Sequence, residues 1–394
     1  MNGFDFDKII ERRGTACIKY DAAERCGYPA DVLPLWVADM DFPTAPAVIE
    51  ALKERCGHGI FGYTNACEEY YAAVYGWMKQ EYGWTPAERS VVTTPGVVFA
   101  INLAIRAFTA SGDAVLIQPP VYYPFANSIE QNGRRVVTNP LVLNDSTGRY
   151  EIDFIHLEQT IRNEKVRLML FCNPHNPGGR VWTQGELLHL GEICQRHDVL
   201  IVSDEIHADF IRPGRKHTVL ASLSERLAQR TITCTSPSKS FNLAGLQLSN
   251  IFIENPSLRR RFRAARCSTG YDEPNLLGLT ACIAAYTEGR PWLDAVRSYI
   301  WDNLERTRTF LARELPKVKI IEPDGTYLLW LDFRAYGLCD KELDKIIVNE
   351  AGLWLDSGAI FGPEGDGFQR INLACPWATL EEALKRLAKT FAAR

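Results

Sequence analysis

The sequence has no apolar run long enough to cross a membrane, no block of like charge, and no pair of cysteines or histidines at metal-ligand spacing. The first absence argues against a membrane-spanning helix. The second argues against a nucleic-acid surface, since 44 basic residues are offset by 48 acidic ones for a net charge of -4. The third makes a zinc site an unattractive reading. Eleven cysteines are scattered through the chain with no C-x-x-C pair. Their odd number and spacing point to mostly small buried hydrophobes in a reducing cytoplasm. Met1 to Arg13 mixes acids and bases around Phe4, Phe6, Ile9 and Ile10. It lacks an apolar central stretch, so no secretory signal is expected there. Repeats, low-complexity tracts and flexible linkers are missing too, which implies closely packed domains.

What is present is a chain of 394 residues, 46% hydrophobic and 23% charged. Those values suit a soluble globular protein of two domains. Short runs that are apolar throughout predict buried strands at Ala114–Gln118, Val166–Cys172, Val199–Ser203, Thr231–Thr235 and Asn250–Ile253. Helical stretches separate them. Gln184–His197 carries an apolar stripe of Leu187, Leu188, Leu190, Gly191 and Cys194. Strands alternating with helices predict an α/β fold with a parallel sheet. Val318–Asp332 differs: its Pro-Asp-Gly step between two strand-like segments predicts a hairpin. Leu380–Arg394 reads as an amphipathic helix with Leu380, Ala383, Leu384, Leu387 and Phe391 on one face. An α+β domain is therefore expected after about residue 286, with boundaries good to a few residues.

Gly57-His58-Gly59-Ile60-Phe61-Gly62 matches the dinucleotide fingerprint G-x-G-x-x-G. Its context is wrong. A helix is predicted before it, with Thr44 as a possible cap and Pro46 in the first turn, where a strand is required.

The chemistry-bearing residues lie just after the predicted strands. Ser236, Ser238 and Lys239 follow Thr231–Thr235. Alone they describe a solvated lysine in a polar loop. A lysine there also suits a phosphorylated aldehyde, the amine forming an imine and the hydroxyls and loop N–H groups taking the phosphate. Asp204 ends the strand before it, where open α/β sheets bind ligands. Pyridoxal phosphate (PLP) needs such an acid against its ring nitrogen. A helix cap is the plainer role for Asp204. His207 stands as a partner of Asp204, a ring contact or an ordinary residue of the turn. Asn176, in the loop Asn173–Gly179, is placed to hydrogen-bond the PLP phenolic oxygen, and a plain turn is its alternative. An aromatic from Tyr122-Tyr123 is placed to stack on the ring. Gly96, Val97 and Val98 open a helical run whose free N–H groups and dipole suit a phosphate.

At this point the chain resembles PLP-dependent enzymes of the aspartate aminotransferase fold (fold type I) over nearly its whole length. Gly96, Tyr122, Asn176, Asp204, Lys239 and Arg370 appear in that family's order. The resemblance implies a large domain, 46–286, with a mostly parallel seven-stranded sheet covered by helices. A smaller α+β domain would comprise 1–45 and 287–394. It further implies that Tyr122 is the stacking residue and that Arg370, in Gln369-Arg370-Ile371-Asn372, binds the substrate α-carboxylate. A guanidinium fork suits that task.

Leu35-Trp36-Val37-Ala38-Asp39-Met40-Asp41-Phe42, Phe61-Gly62-Tyr63 and Ser238–Gln247 are similar to a narrower branch, the MalY/PatB group of cystathionine β-lyases. Gln247 stands where many relatives of the fold carry a phosphate-binding arginine. The branch resemblance implies a cytoplasmic homodimer in which Tyr63 reaches the neighbouring subunit's cofactor phosphate and Ala38 lies near the substrate carboxylate. It implies cleavage of L-cystathionine or related cysteine S-conjugates to pyruvate, ammonia and a thiol. Two alternatives are an aminotransferase with the same site and a regulatory protein that binds PLP and acts through its surface.

Overall fold

The structure, a computed structural model, describes residues 3–392 and 394. Its largest sheet has seven strands: β1 Val91–Thr94, β2 Ala114–Ile117, β3 Arg135–Thr138, β4 Leu168–Cys172, β5 Leu200–Asp204, β6 Thr231–Thr235 and β7 Ser249–Ile253. Their spatial order is β1-β7-β6-β5-β4-β2-β3. The β2–β3, β2–β4, β4–β5 and β5–β6 pairs are parallel. Every residue of β2, β4 and β6 is buried, as expected of strands covered on both faces.

The mostly parallel seven-stranded sheet is as expected; two of its details were not legible in the local pattern. Strand β7 runs antiparallel to both its neighbours, so its first residues, Ser249 and Asn250, pair with the last residues of β1 and β6, Thr94 and Thr235. Strands β1 and β3 were not anticipated. Strand β3 is an edge strand with two exposed positions of four and offers no apolar run to read.

Seven of the helices bear on the site and its support: α1 Pro46–Gly57, α2 Glu68–Tyr82, α3 Val97–Phe108, α4 Gln184–Arg196, α5 Leu276–Glu288, α6 Arg290–Glu314 and α7 Trp377–Phe391. Helix α4 begins where Thr183 and Glu186 satisfy each other's backbone N–H in a capping box. Helix α1 does not use Thr44: Ala45 is its cap residue, and the Thr44 hydroxyl is buried without a partner. The glycine-rich stretch after α1 is loop, with no strand before it. Helix α3 packs against β1 and β4 to β7, while α5 packs on α1 and α2. No helix among the described residues is long and apolar enough to cross a membrane.

A second sheet of four strands follows α6: β8 Lys319–Ile320, β9 Leu328–Asp332, β10 Asp356–Ser357 and β11 Phe368–Asn372, in the order β8-β9-β11-β10. The expected hairpin is β8 with β9. Its Pro-Asp-Gly step is no solvated turn, however. Asp324 is buried and salt-bridged to Arg149, Arg180 and Arg215, which pins the loop to the larger sheet's flank. Helix α7 buries the stripe Leu380, Ala383, Leu384, Leu387 and Phe391. Asn303, buried on α6, donates to the carbonyls of Leu373 and Cys375 and so ties the long helix to the chain leaving β11.

The cysteine expectation needs correction. Cys172, Cys194, Cys234, Cys282 and Cys375 are buried, but Cys26, Cys56, Cys67, Cys267 and Cys339 are exposed, and all are free thiols. The exposed five lie in helical ends and loops, where nothing packs over them.

The loop after β10 turns back on itself through Gly358 and Gly365. A Cβ on Gly358 would overlap the Gly365 carbonyl oxygen and stand 2.7 Å from that of Phe368. Gly358→Ala should therefore destabilise the protein by about 1–3 kcal/mol or more. Gly185→Ala, in open space on α4, should cause no loss. Thermal melts of the two variants test this; equal melting temperatures would contradict the packing.

Candidate active site

Strands β1, β2, β4, β5 and β6 all end on one side of the large sheet, and the loops leaving them enclose a cavity of about 230 Å³. Strand β5 delivers Asp204 to its wall. After β6 the chain makes a short helical turn, Pro237–Ser240, that carries Lys239. Ser236 caps this turn: its hydroxyl accepts from Ser238 N–H and donates to the Leu248 carbonyl. In this arrangement the Ser236 hydroxyl serves the turn, and Ser236 does not line the cavity. Ser238 lines the cavity, with Gly96, Val97 and Val98 at the start of α3. Tyr122, Asn176, His207 and Ala38 complete the wall among the expected residues. Besides Ser236, two expected residues lie outside it. Arg370 is behind Asn176, and Tyr63 is on the surface, 98% exposed.

Burial drives the electrostatics. It raises the Asp204 pKa to about 7; the Ile206 N–H and the Lys239 charge oppose the rise. It lowers the Lys239 amine to about 8, against the pull of Asp39 and with help from Arg370. His207 is pushed down to about 3 by burial, Lys239 and Arg370, so it is neutral, and its Nδ1 is buried without a partner. It makes no hydrogen bond to Asp204 and serves as a wall residue. Burial also lifts the Tyr122 phenol well above its ordinary range, as do Tyr123 and Asp204.

These features fit PLP. A buried carboxylate with one backbone N–H for company lacks a cationic partner, which a protonated pyridine supplies. A buried amine with a depressed pKa is a ready nucleophile for an aldehyde. The helix start at Gly96–Val98 and the Ser238 hydroxyl offer donors to a phosphate. Asn176 accepts from Arg370 through its Oδ1, which leaves its amide N–H groups toward the cavity as donors.

The segment Leu35–Phe42 crosses the cleft as a strap, and most of its carbonyls are gripped. The Ala38 carbonyl accepts from Lys239 Nζ (2.6 Å) and from the buried Tyr327 hydroxyl (2.9 Å). Asn372 Nδ2 donates to the carbonyls of Val37 and Asp39, and Asn242 Nδ2 to those of Met40 and Phe42. Arg370 Nη2 reaches the Trp36 carbonyl. Below the strap, fully buried Lys19 and partly buried Arg12 share the carboxylates of Asp39 and Asp41. The sequence reading missed Tyr327, Asn372, Asn242 and this ion cluster. Asn372, Asn242, Asp39 and Asp41 lay inside motifs quoted from the sequence, without a role assigned to them; Tyr327, Lys19 and Arg12 carried no signal.

The family model for class I and II aminotransferases matches residues 30–387. The chain belongs to that family. It is 47% identical over 383 residues to the cystathionine β-lyase PatB of Bacillus subtilis (strain 168), covering 97% of this chain and 98% of PatB. It is 37% identical to the protein MalY of Escherichia coli (strain K12), covering 98% of each. Among solved structures, cystalysin from Treponema denticola, which contains a pyridoxal 5'-phosphate cofactor, superposes with a TM-score of 0.95 at 40% identity over 99% of each chain.

An ionised carboxylate without its cationic partner destabilises the cofactor-free protein. The folded Asp204 pKa of about 7 lies above its unfolded value of about 3.9, so this penalty grows as pH rises between the two. Cofactor-free Asp204→Asn should therefore gain stability relative to wild type across that window and hold the gain above it. Urea denaturation of both proteins at several pH values measures the difference; a pH-independent difference would contradict a desolvated, unpaired Asp204.

Proposed function

We propose that the chain is a PLP-dependent carbon–sulfur β-lyase that cleaves L-cystathionine or a related cysteine S-conjugate to pyruvate, ammonia and a thiol. One observation carries the reading: a low-pKa lysine and a desolvated aspartate share one cleft, in a chain nearly half identical to a cystathionine β-lyase. Bound PLP supplies an aldehyde for amines and a protonated ring that accepts the electron pair left on Cα. Asp204 would hold a proton on the ring nitrogen. Lys239 would hold the aldehyde, and its amine, when free, would take the substrate Cα proton as general base. A pKa near 8 keeps a useful fraction of that amine deprotonated near neutrality. Arg370 and Asn176 would receive the α-carboxylate, and Tyr122, in the cavity wall, would cover the ring. The thiolate then leaves Cβ. Elimination rather than amino transfer rests on the likeness to PatB.

The same reading makes the active unit a homodimer. The phosphate end of the cleft has hydroxyl and backbone donors but no arginine, and Gln247 at the expected arginine position is exposed. Tyr63 stands fully exposed beside Ile60 and Phe61, on a loop placed to enter a second copy.

Two tests follow from this assignment. Purified protein should release pyruvate and ammonia from cysteine thioethers with no keto acid present; Lys239→Ala should reduce turnover by about 10²–10⁴-fold or more, and Arg370→Ala should chiefly raise KM. Strict dependence on 2-oxoglutarate with ping-pong kinetics would make it an aminotransferase instead. For the dimer, Lys239→Ala and Tyr63→Ala proteins, each impaired alone, should recover activity when refolded together, since one site of each mixed dimer is intact. No recovery would place Tyr63 outside the shared site.

A further inference from the structure

The guanidinium assigned to the substrate carboxylate already has an anion. Asp356 on β10 lies directly opposite Arg370 in the β10–β11 register, and its carboxylate forms an ion pair with Arg370 Nη2. Both side chains are buried, at 5% and 3% exposure, and Arg370 is the sole ionic partner of Asp356 among the described residues. Burial pushes the Asp356 pKa up while Arg370 pulls it down.

The other donors of Arg370 are also largely taken. Nη1 donates to Asn176 Oδ1 (2.9 Å), and Nη2 donates to the Trp36 carbonyl (2.9 Å) as well as to Asp356. A guanidinium has five N–H groups. Both on Nη2 are in use, and Nε is buried with no acceptor. The ring of Phe361 lies under the group, 4.9 Å from the guanidinium carbon, and closes that face. An incoming carboxylate therefore cannot take two adjacent N–H groups unless a resident acceptor gives way.

We infer that Asp356 is a resident counter-ion that competes with the substrate carboxylate for Arg370 and thereby sets substrate affinity. This rests on Arg370 being the carboxylate clamp. With the site empty, Asp356 spares the protein a buried, unpaired guanidinium. When substrate enters, the neutral acceptors, Asn176 Oδ1 on Nη1 and the Trp36 carbonyl on Nη2, are the weaker ones and yield, while Asp356 stays. The substrate then meets a guanidinium that is already half neutralised, and it binds less tightly than to a lone arginine. Asp356 is a positioning residue: it touches Arg370 and no reacting atom.

The test is Asp356→Asn in the PLP-loaded enzyme, which keeps shape and removes charge. KM for a cysteine thioether should fall by roughly tenfold or more, as expected for loss of a neighbouring like charge at an effective dielectric of about 20. The kcat should change little, because ground and transition states gain alike. Inhibition by propionate, a carboxylate without an amine, should tighten by a similar factor. If the asparagine variant does not accumulate, Asp356→Ala carries the same predicted sign. A raised or unchanged KM with unchanged propionate affinity would overturn the competition. Arg370→Ala separates the two claims: if it leaves KM and propionate inhibition unaltered, the clamp assignment itself fails, whatever Asp356 does.

Discussion

The contact on which the rest of the site depends is the Lys239 amine against the Ala38 carbonyl. Lys239 belongs to the large sheet's loops, and Ala38 to a strap that arrives from the N-terminal region and runs along β11. The strap is extended chain with few pairing partners of its own, so side chains must satisfy its carbonyls. Asn242, Asn372, Tyr327 and Arg370 do so, Asn372 and Arg370 from β11 and the other two from separate parts of the chain. The buried Lys19 with Asp39 and Asp41 holds the far side. Breaking one such partner would leave a buried charge or carbonyl unmatched, which costs several kcal/mol in a dry setting. The strap therefore couples the position of the cofactor lysine to that of the carboxylate arginine.

The second constraint is desolvation of opposite charges in one cleft. Burial moves Asp204 up and Lys239 down until both titrate near neutrality. Groups driven in this direction are poised for proton transfer. The aspartate is suited to a positive ring, the amine to an electrophilic carbon. Neither environment needs an exotic residue. Each follows from ending a buried central strand at the sheet's C-terminal edge.

How far the sequence could be read follows from where the signals were local. Strands β4, β5 and β6 showed as apolar runs because both faces are covered, and the residues just beyond them are the cleft residues Asn176, Asp204 and Lys239. Strand β3 has exposed positions and left no such trace. Ser236 carried the right chemistry for a phosphate, yet its hydroxyl is held by the turn it caps, a fact of local geometry rather than composition. Asp324 read as a turn residue and is a buried ion hub, because its three arginines are remote in sequence. Asp356 left no signal: its meaning comes from the β10–β11 register, which no local pattern encodes. Cysteine burial was overestimated since residue type alone does not say which helix ends are covered.

Together these constraints assign the cofactor to one amine among the lysines of the chain. The most direct measurement is borohydride reduction of the PLP-loaded protein followed by peptide mapping. A single pyridoxyl adduct on Lys239 is predicted. An adduct on a different lysine, or none, would contradict the account.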